Sequence, residues 1–88
     1  MNIEFTPNGW SEYHFWYEND LVIFDKINDL IKEITRDPFK GLGKPEALRG
    51  NLAGYWSRRI TGEHRLVYRV HGTKPNQTLT IVQSRFHY

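Results

Sequence analysis

Cysteine is absent from the 88 residues. That excludes a disulfide framework and any thiolate-held metal, so the fold must rest on packing alone. No apolar run approaches the ~20 residues of a membrane span. The opening residues, MNIEFTPNGW, lack the basic and long apolar stretches of a secretory signal. The expected location is therefore the cytosol, with no membrane contact, and the Asn76-Gln77-Thr78 glycosylation pattern carries no weight there. The four histidines (His14, His64, His71 and His87) show no HExxH-like spacing, so no metal and no cofactor are expected. Nucleotide signatures are missing as well. In GLGKPE, Pro38 stands where a P-loop needs its first glycine and Pro45 where it needs Ser or Thr. Glu46 replaces the third glycine of a dinucleotide fingerprint. There is no internal repeat and no low-complexity segment.

What is present is a chain sized for one domain, residues 1–88. It is 39% hydrophobic and 15% aromatic, enough for a small core rich in ring area. Net charge is only +2, but the charges are divided along the chain. Residues 1–37 carry eight acids and three bases, a balance of −5. Residues 38–88 carry two acids (Glu46 and Glu63) and nine bases, a balance of +7. One strongly basic half suggests an anionic partner, with a solvated charge mosaic as the alternative.

NIEF reads as a first strand. Thr6 and Pro7 are a helix N-cap and first helical position. The helix that follows puts Trp10, Tyr13 and Tyr17 on one face, with His14 beside them as a packed or half-exposed histidine. A second helix is clearer: Leu21, Phe24, Ile27, Ile31 and Ile34, with Ile23 and Leu30, keep a 3.6-residue period after an Asp20 cap. Lys26, Asp29 and Glu33 lie on its solvated side, and Asp37-Pro38 ends it. Two antiparallel helices follow. Residues 39–54 are glycine-rich and predict a loop with one short strand. YWSRRI, HRLVYRV and TLTIVQSRF then predict three strands. The fold class is α+β: a short N-terminal strand, two antiparallel helices, then a mostly antiparallel sheet of three to four strands.

Strand alternation separates the basic residues by face. Arg65, Val67 and Arg69 share one side, and Leu66, Tyr68 and Val70 the helix side. Gln83, Arg85 and His87 share a parity. In a hairpin about residues 71–77, paired positions sum to about 149, which sets Arg65 opposite about Ser84; a one-residue slip would flip the faces. Arg58 and Arg59 point to opposite faces, and one of them joins Arg65. Glu46 is the only acid between Asp37 and Glu63, flanked by Lys44 and Arg49. For Glu46 alone an ion pair is the plainer reading. A carboxylate, several arginines and a histidine are together the parts for RNA cleavage without metal. The carboxylate takes the ribose 2′-hydroxyl proton, arginine stabilises the phosphoryl oxygens, and histidine protonates the leaving 5′-oxygen. The ending SRFHY is then either a strand running out or a delivery of His87 and Tyr88 to that centre.

GKPEAL, GYWSRRITGEHRLVYRV and the terminal RFHY closely resemble the YoeB toxins of bacterial toxin–antitoxin pairs, within the RelE superfamily. The likeness spans nearly the whole chain. It implies a compact RelE-like α+β fold and a ribosome-dependent endoribonuclease, an mRNA interferase that cuts mRNA in the decoding site. It also implies a YefM-like, acidic and partly disordered antitoxin, and a homodimer. Carried onto this chain, Glu46 is the base, Arg65 stabilises the phosphate, His87 is the general acid and Tyr88 positions or stacks on a base. Lys44, Arg49, Arg59 and Arg85 are expected to bind RNA. Ala47 stands where the family commonly has proline, Arg49 where it commonly has lysine, and the HGTKPNQ turn is longer than usual. Two alternatives stand beside this: a non-catalytic relative, such as the ParE-like toxins that target DNA gyrase, and a plain RNA-binding module.

Overall fold

Asp20 divides two helices with a single residue. Helix α1 spans Pro7–Asn19 and α2 spans Leu21–Arg36. The Asp20 N–H closes α1 by donating to the Trp16 carbonyl at 2.8 Å. Its carboxylate opens α2, accepting from the Val22 and Ile23 amides at 3.1 and 3.2 Å. The computed structural model describes residues 1–87; Tyr88 lies outside the described residues. Thr6 caps α1 through the Gly9 amide and Pro7 occupies its first turn, as predicted. Tyr17 meets Phe24 with ring centroids 5.3 Å apart, and the Tyr13 hydroxyl donates to Asn28 at 2.7 Å. The two pairs step in opposite directions along the chain, so the helices are antiparallel.

The strands are β1 (Asn2–Phe5), β2 (Glu46–Ala47), β3 (Trp56–Arg59), β4 (Arg65–His71) and β5 (Thr78–Gln83). A 3-10 turn at Gly50–Leu52 lies between β2 and β3. They form one sheet in the order β1-β5-β4-β3-β2, with β1 parallel to β5 and every other pair antiparallel. The helices cover one face. The core joins Trp16 of α1 and Ile27, Leu30, Ile31 and Ile34 of α2 to Leu66, Tyr68, Leu79 and Ile81 of the sheet. The α2 stripe is thus the predicted one, except that Leu21, at the helix junction, is exposed. On α1 the buried ring is Trp16. Trp10, Tyr13 and Tyr17 instead line the side of α1 that meets Phe5 and Phe24. Gly9 decides this seating: a Cβ there would lie 2.3 Å from the Ile81 carbonyl oxygen, so only glycine lets α1 settle onto β5.

The β4–β5 hairpin keeps the predicted register from His71↔Thr78 to Tyr68↔Ile81. A bulge follows, and Val67 pairs with Gln83 instead of Val82. The strand predicted through Phe86 stops at Gln83. Beyond it the Ser84 and Arg85 amides donate to the Glu12 carboxylate at 2.8 and 3.2 Å rather than to a strand, and Phe86 takes a φ of +58°. The side chains of residues 83, 85 and 87 therefore do not continue one alternating face.

Candidate active site

The two arginines of WSRR diverge. Arg58 pairs with Leu66 on the helix side and is fully buried. It donates to the Asp37, Lys40 and Leu42 carbonyls at 2.6, 2.9 and 3.0 Å and to the Tyr68 hydroxyl at 3.1 Å. The Tyr68 hydroxyl in turn donates a hydrogen bond to the Pro38 carbonyl at 2.7 Å. This buried cation is the clasp of the 37–42 loop. Burial, the larger influence, lifts the Tyr68 phenol above its ordinary range, against the opposing hydrogen bond from Arg58.

Arg59 is exposed on the other face and pairs with Arg65. On that same face Glu46 pairs with Ser57, Ser57 with Val67, and Val67 with Gln83. Directly opposed residues share a face. Glu46 thus lies one row along from the Arg59–Arg65 row. The bulge brings Gln83 onto this face; in unbroken register Val82 would hold that place. Lys44, at φ +52°, is exposed just before β2, and Arg49 is exposed just after it. The Arg59 amide donates to the Gly43 carbonyl at 2.7 Å, tying the Lys44 loop to β3.

Arg65 is buried, and its Nη1 donates to the Thr61, His64 and Gly62 carbonyls at 2.8, 3.1 and 3.3 Å. Among the described residues its side-chain hydrogen bonds all run through that one nitrogen. His87 is exposed, with Nε2 3.4 Å from the same Gly62 carbonyl. Arg65 and His87, predicted to meet, are therefore brought together at the β3–β4 turn. Arg85 is not with them. Its guanidinium lies 3.7 Å above the Phe15 ring of α1 and 5.2 Å from the Phe86 ring. Glu46 and Arg59 are exposed on this face, while Ser57, Val67 and Arg65 are buried, and no enclosed pocket is found among the described residues.

Four residues that the sequence reading did not select hold the last residues in place. Asn8 Nδ2 donates to the Val82 carbonyl at 2.9 Å, Glu12 accepts the Ser84 and Arg85 amides, and Trp16 Nε1 donates to the Ser84 carbonyl at 3.0 Å. Their spacing of four puts them on one stripe of α1. The fourth is His64, buried in the β3–β4 turn. Its Nδ1 accepts the Phe86 amide at 2.8 Å, and the Phe86 carbonyl accepts the Arg65 amide at 3.1 Å. The 8/12/16 spacing was the available signal; a polar stripe on a helix ordinarily reads as a solvated face.

Residues 5–88 match the family of YoeB-like toxins of bacterial type II toxin–antitoxin systems. Toxin YoeB of Streptomyces coelicolor is 55% identical, with both chains covered in full. The structure of a YoeB/ParE toxin from Agrobacterium tumefaciens superposes with a TM-score of 0.95 at 55% identity, again over all of both chains. The YoeB dimer from Staphylococcus aureus gives 0.88 at 43% identity, covering 100% of this chain and 98% of that one. The YoeB–YefM complex from the same organism gives 0.88 at 42% identity, with the same coverage. With the match running from β1 to the last residue and the fold superposing throughout, the chain belongs to the YoeB-like toxins of bacterial type II toxin–antitoxin systems.

Proposed function

We propose that this toxin is a ribosome-dependent endoribonuclease that cuts mRNA in the decoding site and so stops translation. Glu46 takes the proton from the ribose 2′-hydroxyl. The 2′-oxygen attacks the adjacent 3′-phosphate, and a 2′,3′-cyclic phosphate forms as the bond to the 5′-oxygen breaks. Arg65 stabilises charge on the phosphoryl oxygens, and His87 protonates the departing 5′-oxygen. Tyr88 acts at the same centre by positioning or stacking on a base. Lys44, Arg49 and Arg59 hold RNA backbone by charge, and Arg85, stacked on Phe15, joins them at the rim. No metal takes part.

The observation that carries this reading is the convergence of Arg65 and His87 on the Gly62 carbonyl, beside the face that presents Glu46. An anion-binding fork and an imidazole at one point suit a phosphodiester and its leaving oxygen. The exposure of the proposed base supports ribosome dependence. With Glu46 exposed and no enclosing pocket among the described residues, an RNA backbone needs a second surface to fix it in line.

The S. aureus relatives described as a YoeB dimer and a YoeB–YefM complex support two partners for this chain: a second copy of itself and a YefM-like, acidic, partly disordered antitoxin. The +7 balance of residues 38–88 supports the second. The proposed setting is the cytoplasm, with residues 1–88 acting as one domain. The deciding experiment adds the purified toxin to a reconstituted translation reaction and maps mRNA 5′ ends. Discrete cuts within ribosome-bound codons are expected, with none in free mRNA. Intact mRNA together with blocked gyrase supercoiling would replace this function with that of a non-catalytic relative.

A further inference from the structure

The clasp between α1 and the last residues has a consequence for catalysis. β5 ends at Gln83, four residues before His87. Past Gln83 the chain leaves the regular ladder, and one backbone bond to β4 remains, from the Arg65 amide to the Phe86 carbonyl at 3.1 Å. Here the backbone is held at successive points. The Glu12 carboxylate takes the Ser84 and Arg85 amides through one oxygen, Trp16 takes the Ser84 carbonyl, and His64 takes the Phe86 amide. Gln83 Nε2 donates to the Arg85 carbonyl at 3.0 Å, and the Arg85 side chain, set between the Phe15 and Phe86 rings, adds a further hold. Among these groups only Glu12 brings a carboxylate, and it does so in mid-helix, away from any helix N-terminus. Hydrogen bonds from backbone amides to a carboxylate are about twice as strong as neutral ones.

We propose that Glu12 is a positioning residue: its carboxylate turns the backbone at Ser84 and Arg85 out of β5 and so delivers His87 to the Gly62 carbonyl beside Arg65. The inference rests on the proposed role of His87. Without Glu12 two amides lose their partner, and the segment exchanges one held path for several solvated ones. His87 then spends little of its time beside Arg65. A displacement of about 1 Å at a reacting group costs on the order of 10²-fold in rate. Glu12 itself touches no reacting atom, and it sits on α1, the helix-covered side of the sheet, so affinity for the ribosome is expected to be unchanged.

The test compares wild type, Glu12→Ala, Glu12→Gln and His87→Gln. Single-turnover cleavage of ribosome-bound mRNA and ribosome affinity are measured for each, with 15N relaxation of the 84–87 amides in the free proteins. Glu12→Ala is expected to lose on the order of 10²-fold in cleavage rate, with unchanged ribosome affinity and with amide motion raised only after Gln83. Glu12→Gln keeps an acceptor oxygen and is expected to recover most of the rate and the order. The inference is overturned if Glu12→Ala leaves the 84–87 amides as rigid as wild type, or if Glu12→Gln is as mobile as Glu12→Ala. A wild-type rate in His87→Gln would instead overturn the proposed role of His87, and the relaxation data would still decide whether Glu12 holds the segment.

Discussion

The Gly62 carbonyl oxygen is shared by Arg65 and His87, 3.3 Å from Nη1 of the first and 3.4 Å from Nε2 of the second. Arg65 arrives from the start of β4, and His87 from the far end of the chain. A turn carbonyl between them keeps the two groups adjacent. In the proposed mechanism Arg65 takes the phosphoryl oxygens and His87 the departing 5′-oxygen, so their adjacency is what the reaction requires.

His87→Gln is expected to abolish mRNA cleavage and cell toxicity while leaving the fold unchanged. His87 is exposed and outside the core, so its replacement should move stability by no more than about 0.5 kcal/mol. Urea unfolding and 5′-end mapping on one preparation check both halves. A folded variant that cuts at the wild-type rate would remove His87 from the mechanism.

Arg65→Lys keeps the charge but loses the planar fork. One ammonium cannot meet the Thr61, Gly62 and His64 carbonyls and still present a second edge to phosphate. Ribosome binding should persist while cleavage falls by 10²-fold or more, on the order of the loss of one oxyanion donor. Equal losses in binding and cleavage would make Arg65 an affinity residue instead.

Arg58 and Arg59 are neighbours with opposite work. Arg58→Ala strips the donors from three carbonyls of the 37–42 loop and leaves a void at a fully buried position. A loss of about 3–5 kcal/mol is expected, since each unsatisfied buried group costs ~1–3 kcal/mol. Arg59→Ala, at an exposed position, should change stability by under about 0.5 kcal/mol and weaken RNA-dependent activity. Chemical unfolding of the two variants side by side is the check, and similar losses would contradict the assignment.

The Tyr68 phenol makes stability depend on alkaline pH. Its folded value is raised above 10.0 by burial. The unfolded chain therefore gives up this proton first as pH climbs. The contribution is whole below about pH 10 and is lost as pH rises from there through the folded value. Unfolding free energies between pH 8 and 11 should fall more steeply for wild type than for Tyr68→Phe. At pH 8 Tyr68→Phe should be weaker by about 1–2 kcal/mol, because Arg58 and the Pro38 carbonyl each lose a partner. Parallel pH curves would place the titrating group elsewhere.

The sequence by itself determined the helices, the strand order of events and the helix-side face of the sheet. These follow from local periods and caps: Thr6 and Asp20 at helix starts, the Ile27–Ile34 stripe, and the Leu66/Tyr68 alternation. Glu46, Arg65 and His87 were named at the sequence level because the residue types needed to break a phosphodiester are few and a family resemblance carried their positions; their roles are part of the proposed function. Tertiary structure alone decided where the last residues go. Strand parity would have carried Gln83, Arg85 and His87 along one face. The bulge opposite Val67, the Glu12 carboxylate and the His64 ring redirected them, sending Arg85 to Phe15 and His87 to Gly62. Only the tertiary structure separated Arg58 from Arg59 as clasp and surface, since alternation says that they diverge but not which of them meets the helices. The physical reason is common to both cases. Local sequence encodes backbone period, whereas the partner of a polar group is set by what the fold brings within about 3 Å of it from distant parts of the chain.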